Sequence, residues 1–118
     1  MKIIKLAVIS VLALGLTACQ ATNSIYYWGD YSDSAYKLKN TPTDESRTKH
    51  KASLLSIVNN AQTKNKKIPP GIYAELAMLE AEDRNVDLAL QYFSKEKELF
   101  PESTKIVDMM INSMNKDV

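Results

Sequence analysis

Pro70-Gly71-Ile72-Tyr73-Ala74-Glu75-Leu76-Ala77-Met78-Leu79-Glu80, followed by Val86-Asp87-Leu88-Ala89-Leu90-Gln91-Tyr92-Phe93 and then Phe100-Pro101, is the stretch that decides the fold. Ile72, Leu76 and Leu79 recur at helical spacing with Tyr73 and Ala77 beside them, which predicts a helix with one apolar face. Asp83-Arg84-Asn85 reads as a turn. The next helix is expected over residues 86–100, with Ala89, Leu90, Phe93 and Phe100 on one face and Leu88, Tyr92 and Leu99 on another. Two apolar faces predict burial between two neighbours. Pro101 stops this helix, because proline lacks the N–H that would continue the hydrogen-bond ladder.

Working outward toward the C-terminus, Ser103 or Thr104 is expected to cap a last helix in which Ile106, Val107, Met110, Ile111 and Met114 share a side. On the N-terminal side, Ile68-Pro69-Pro70-Gly71 breaks off an earlier helix expected over residues 43–66. Thr43 is its N-cap, Asp44 and Glu45 put negative charge in the first turn, and Leu54, Ile57, Val58 and Ala61 form its stripe with Leu55 alongside. Residues 47–51 are polar on nearly every side, so that half either projects from the core or is covered by an upstream segment. Lys64, Lys66 and Lys67 admit two readings, an anionic-ligand patch or a solvated helix C-terminus whose dipole favours cations. The second is the expectation.

The upstream segment is Ile25-Tyr26-Tyr27-Trp28-Gly29-Asp30-Tyr31, which carries four of the nine aromatic residues of the chain. Three roles stay open for it: a cap folded back on the helical domain, a docking element for a protein partner, or a set of rings resting among lipid headgroups. Tyr26, Tyr27, Trp28 and Tyr31 are accordingly the candidate partner-binding residues. Ser32 is expected to cap a short helix through Asp33, Ala35, Tyr36 and Leu38, which Asn40-Thr41-Pro42 ends.

The N-terminus opens on Met1-Lys2-Ile3-Ile4-Lys5 and continues into an apolar run of about eleven residues, the length of a signal h-region and short of a membrane span. The run closes on Leu16-Thr17-Ala18-Cys19, which resembles the bacterial lipobox. That resemblance implies a diacylglycerol on the Cys19 thiol, cleavage before Cys19 and acylation of the new amine. Gln20, by its resemblance to Gram-negative lipoproteins in not being Asp, implies an outer-membrane anchor; the body is expected on the periplasmic side, with exposure at the cell surface left open. The expected organisation is a signal peptide over residues 1–18, a lipidated tether with the aromatic segment and a short helix over 19–42, and an all-α domain over 43–118.

Within that domain the spacing resembles a tetratricopeptide repeat. With Pro70 as first position, Tyr73 falls on the aromatic site and Leu76 and Ala77 on the large-then-small pair. Ala89 then takes the close helix contact, and Phe93 and Pro101 the late aromatic and closing proline. Residues 70–103 make the expected thirty-four. Glu80 and Glu96 depart from the pattern, where a tyrosine and a small residue are common. One such hairpin cannot bury its own face, so additional helices on either side must cover it.

A second resemblance spans nearly the whole chain. Tyr27-Trp28-Gly29-Asp30-Tyr31, Tyr36, Pro69-Pro70-Gly71-Ile72-Tyr73-Ala74-Glu75-Leu76, Ala89-Leu90-Gln91-Tyr92-Phe93 and Phe100-Pro101-Glu102-Ser103 carry it. They resemble an uncharacterised family of small Gram-negative lipoproteins, often encoded beside lipoproteins similar to the curli secretion channel. The resemblance implies a location and a neighbour, and carries over no site residue except Cys19.

Composition narrows the function further. Cys19 is the single cysteine and His50 the single histidine, so an intrachain disulfide, a thiolate cluster and paired imidazoles are all excluded. Removal of Lys2 and Lys5 with the signal peptide leaves 13 basic against 14 acidic side chains, which gives no electrostatic footing for nucleic acid. His50, between Lys49 and Lys51, is expected at the surface, and Glu80, Glu82 and Asp83 are expected to be solvated at a helix end. Glycines at 15, 29 and 71 make no phosphate loop. No catalysis, cofactor, metal or small-molecule substrate is expected. The expected function is a membrane-anchored helical adaptor for another envelope protein. The alternative is a structural or accessory lipoprotein that contacts membrane or peptidoglycan without a dedicated protein partner.

Overall fold

A computed structural model describes residues 24–117. These form five α-helices in the order α1 (Tyr31–Asn40), α2 (Asp44–Asn60), α3 (Ile72–Glu82), α4 (Val86–Leu99) and α5 (Thr104–Lys116), with a 3-10 turn at Pro101–Ser103. The fold is all-α, as expected. Residues 1–18 and Cys19 lie outside the described residues.

Local sequence explains most boundaries. Thr43 caps α2: its hydroxyl accepts from the Ser46 N–H at 3.1 Å, while Ser46 Oγ accepts from the Thr43 N–H at 2.9 Å. Such reciprocal bonds satisfy donors that a helix start leaves open. Helix α2 ends at Asn60 rather than near residue 66. The chain turns through residues 61–65, with Asn65 in the left-handed region at φ 54°, a conformation asparagine tolerates better than most side chains. The three lysines therefore ride on a turn beyond the helix, and none occupies its last turn. Helix α1 begins one residue before its expected cap. Asp30 holds the N-cap position without a side-chain cap bond, and its carboxylate accepts instead from Ser53 Oγ on α2 at 2.5 Å.

The second half of the stretch read as tether is folded onto the body. Tyr27 and Tyr31 pack against a cluster made by Leu54 and Ile57 of α2 with Ile72, Leu76 and Leu79 of α3. A second cluster joins Ala77 of α3, Ala89 and Phe93 of α4, and Val107 and Met114 of α5. Helix α3 is common to both, and Tyr92 touches both. Ala77 and Ala89 are both fully buried, and their lack of bulk lets α3 and α4 approach closely. As expected, α4 lies between two neighbours, α3 and α5. Ala89 and Phe93 are buried and Leu88, Tyr92 and Phe100 half-buried, whereas Leu90 and Leu99 are 37% and 46% exposed.

Gly71 joins the Pro69-Pro70 segment to α3 at φ 95°, a backbone shape that a side chain would strain. Its N–H donates to Glu96 Oε1 at 2.7 Å, and the Glu96 side chain is buried in α4. A carboxylate of α4 thus holds the start of α3.

Truncating Phe93 to alanine should cost about 3–5 kcal/mol, and enlarging Ala89 to leucine about 1–3 kcal/mol, through a cavity and through overpacking respectively. Urea unfolding followed by circular dichroism measures both, and an unchanged midpoint for Ala89→Leu would contradict the close helix contact.

Candidate functional site

The aromatic segment divides. Ile25 and Tyr27 bracket an isolated parallel bridge between Tyr26 and Lys67: the Tyr27 N–H donates to Lys67 O, and the Lys67 N–H to Ile25 O, each at 2.9 Å. This pairing turns Tyr27 and Tyr31 toward the core, which is the capping role for those two rings. Trp28 stays 40% exposed, with its ring centroid 5.4 Å from that of Tyr31, and Ile25 is 62% exposed. Tyr26 is half-buried. Of the four candidate aromatic residues, the structure presents Trp28 most openly to solvent. Cys19 lies outside the described residues.

His50 is not on the surface. It is 4% exposed and sits where α1, α2 and α3 meet. Its Nδ1 lies 2.9 Å from Ser34 Oγ of α1, and Glu75 Oε2 of α3 accepts from Nε2 at 3.2 Å. The other oxygen of Glu75 accepts from the Tyr31 hydroxyl at 2.8 Å. Burial, reinforced by that hydrogen bond to Glu75, pushes the Tyr31 phenol up to about 12, so it remains a neutral donor. Serine, histidine and carboxylate follow one another as in a nucleophilic triad. Here, however, Ser34 lies buried within α1, with its hydroxyl 3.1 Å from the Tyr31 carbonyl oxygen. The arrangement is a polar tie across three helices.

Glu80 is likewise buried rather than solvated, at 4% exposure. It meets Lys51 Nζ at 2.5 Å and accepts from Asn85 Nδ2 at 2.7 Å. Burial opposes its ionisation, but hydrogen bonds from Lys51 and Asn85 outweigh it and hold the carboxyl below its ordinary range. Lys51 also reaches Asp83 at 3.1 Å, and Arg47 contacts Asp83 at 2.9 Å and Glu82 at 3.2 Å. The polar half of α2 is thus covered by the acidic end of α3. Periodicity alone missed both buried groups. The one signal in the sequence was the departure of Glu80 from the repeat pattern.

The described residues also form open grooves, two of which bear on binding. One, of about 670 Å³, runs between α1 and α2 and is lined by Tyr27, Asp30, Ser34, Lys49 and Ser53 among others. The charges along it pair within their own helices, Asp33 with Lys37 and Glu45 with Lys49, each at 2.7 Å. The other, of about 710 Å³, lies between the end of α3 and α5 and is lined by Met78, Val86, Ile106, Met109, Met110 and Met114. Met78 of α3 and Ile106 and Met109 of α5 are 43%, 55% and 62% exposed, an apolar strip on an otherwise polar outer surface that includes Lys105, Asp108 and Asn112. Among the described residues no group of three or more His, Cys, Asp or Glu is placed to hold a metal ion, and no helix is long and apolar enough to cross a membrane.

The profile of the family described as Domain of unknown function (DUF4810) matches residues 25–110. The chain belongs to this family. For DUF4810 the matched span begins at Ile25, the first residue of the bridge to Lys67, takes in both buried glutamates and His50, and ends within α5. No curated protein and no solved structure matches the chain.

Replacing Lys51 with methionine should destabilise the fold by about 3 kcal/mol at pH 7, because it leaves a buried carboxylate without its counter-charge. The Glu80 carboxyl is depressed in the folded state, so its contribution is present above the unfolded carboxyl range near pH 4 and is lost as pH falls through the lower folded value. The penalty in Lys51→Met should therefore shrink at pH 3, where Glu80 can take up a proton. Urea midpoints for both proteins at the two pH values test this, and an equal gap at both would count against the buried pair.

Proposed function

We propose that this chain is a lipid-anchored envelope lipoprotein whose helical body serves as a small adaptor for another envelope protein. The lipobox-like Leu16-Thr17-Ala18-Cys19 supports the anchor, and Gln20 supports the outer membrane. The adaptor role is carried by one observation: α5, the last helix of the described residues, offers Ile106 and Met109 to solvent next to Met78. In tetratricopeptide-like stacks a terminal helix carries a polar outer face, since an apolar one invites a further element to cover it. Methionine side chains are flexible and polarizable, which suits a groove that receives an apolar helix or loop. The work of the protein in this reading is binding, with no reaction, cofactor or small-molecule substrate. Its resemblance to lipoproteins encoded beside curli-secretion-channel-like proteins makes such a lipoprotein the first partner to test.

A photo-reactive residue at position 109, introduced into the natural lipoprotein in intact cells, should yield one dominant protein adduct in the envelope fraction. Met109→Glu should lower partner capture at least tenfold while leaving the melting temperature unchanged, because the side chain is already 62% exposed. Absence of any adduct at position 109 and at Trp28 would overturn the adaptor reading. An intact mass with an unmodified Cys19 would overturn the anchor.

A further inference from the structure

Lys64, Lys66 and Lys67 all sit on the exposed turn that follows α2. Backbone bonds shape that turn: the Lys64 N–H donates to Asn60 O at 3.0 Å, the Asn65 N–H to Gln62 O at 2.9 Å and the Lys66 N–H to Ala61 O at 2.9 Å. No Asp or Glu occurs between residues 46 and 74, nor anywhere before Asp30. Among the described residues, none of the three ammonium groups has a carboxylate at ion-pair distance. Lys37, Arg47, Lys49, Lys51, Lys95 and Lys97 are paired. Lys39, Arg84, Lys105 and Lys116 are also in no ion pair among the described residues, but only at 64–67 do three such cations fall within four residues.

What gives this charge a direction is the bridge. It fastens Lys67 to residues 25–27, the point where the described chain begins. Covalent geometry permits at most about 18 Å between the Cα atoms of Cys19 and Ser24. A lipid on Cys19 therefore keeps the turn close to the bilayer, whatever path the intervening residues take. Beside the lysines, Ile25 and Trp28 are exposed, and an apolar side chain with an indole next to cations is the composition of an interfacial surface.

We infer that the turn at residues 62–67, with Ile25 and Trp28, is a contact site for anionic phospholipid headgroups that sets how the anchored body stands on the membrane. The inference rests on the lipid attachment proposed above. Each lysine near an anionic surface contributes about a fivefold preference. The attraction acts over about 10 Å at 0.1 M salt, so it needs the anchor to bring the turn within range.

The test uses the natural lipoprotein, its Cys19 modification verified by intact mass, reconstituted in vesicles of phosphatidylcholine alone or mixed with phosphatidylglycerol. Amine acetylation rates are read lysine by lysine. Lys64, Lys66 and Lys67 should react at least fivefold more slowly on the phosphatidylglycerol vesicles and recover at high salt, while Lys105 on α5 reacts equally on both. In the triple variant Lys64→Gln, Lys66→Gln, Lys67→Gln, with helical content unchanged, phosphatidylglycerol should no longer shield Trp28, the single tryptophan, from acrylamide quenching. Equal rates on the two vesicle types would overturn the inference, as would protection that ignores salt. Equivalent protection by inorganic phosphate in detergent would assign the site to free phosphate and remove the headgroup. A chain without lipid on Cys19 would overturn the anchor and this inference together, whereas equal rates on a lipid-bearing chain would overturn this inference alone.

Discussion

Helix α3 is apolar on two sides, and that constraint orders everything around it. Leu76 and Ala77 are adjacent in sequence and both fully buried, yet Leu76 packs with Leu54 and Ile57 of α2 while Ala77 packs with Ala89 and Phe93 of α4. A helix built this way is stable only between neighbours, so α2 on one side and the α4 and α5 pair on the other are requirements of the same sequence. Carboxylates pin its two ends. Glu96 of α4 receives the Gly71 N–H where α3 starts, and Glu80, near its end, meets Lys51 of α2. The Glu80 carboxylate is met by Lys51 and Asn85, which offsets its burial, whereas Glu96 is held through Oε1 alone and its Oε2 has no hydrogen-bond partner among the described residues.

The hairpin and the all-α class were legible because their determinants are local. Apolar spacing, the Thr43 cap, the three-residue turn at 83–85 and Pro101 each act within a few residues of where they stand. What was hidden depends on partners far away in sequence. His50 reads as a surface residue between two lysines until Ser34, sixteen residues before it, and Glu75, twenty-five after it, close around the ring. Glu80 reads as solvated until Lys51 arrives from another helix. Polar pattern reports whether a side chain is costly to bury, and is silent on whether a distant group removes that cost. The overlong reading of α2 has a different origin. Residues 61–66 contain no Pro or Gly, and the helix ends instead through the left-handed turn at Asn65.

For the candidate site the same division holds. The aromatic cluster was visible as a cluster, but its split into inward Tyr27 and Tyr31 and outward Trp28 follows from the backbone pairing at residues 25–27, which no periodicity announces. The outward side chains and the lysine turn lie at the end of the body where α3 begins. The methionine groove lies toward the other end of α3, whose eleven residues rise about 15 Å between the two. A body with a membrane-side end and a partner-side end is what the proposed adaptor role needs.

The bridge between Tyr26 and Lys67 also defines how the protein would bear load. Any tug arriving through residue 24 meets two backbone hydrogen bonds first, and these hand the force to the turn and to buried Pro69 rather than to a helix. Only after that pair parts can the pull extract Tyr27 and then Tyr31 from the core. The paired residues act as a strain relief, so a chain pulled from that side would give way at this pairing before its helices separate.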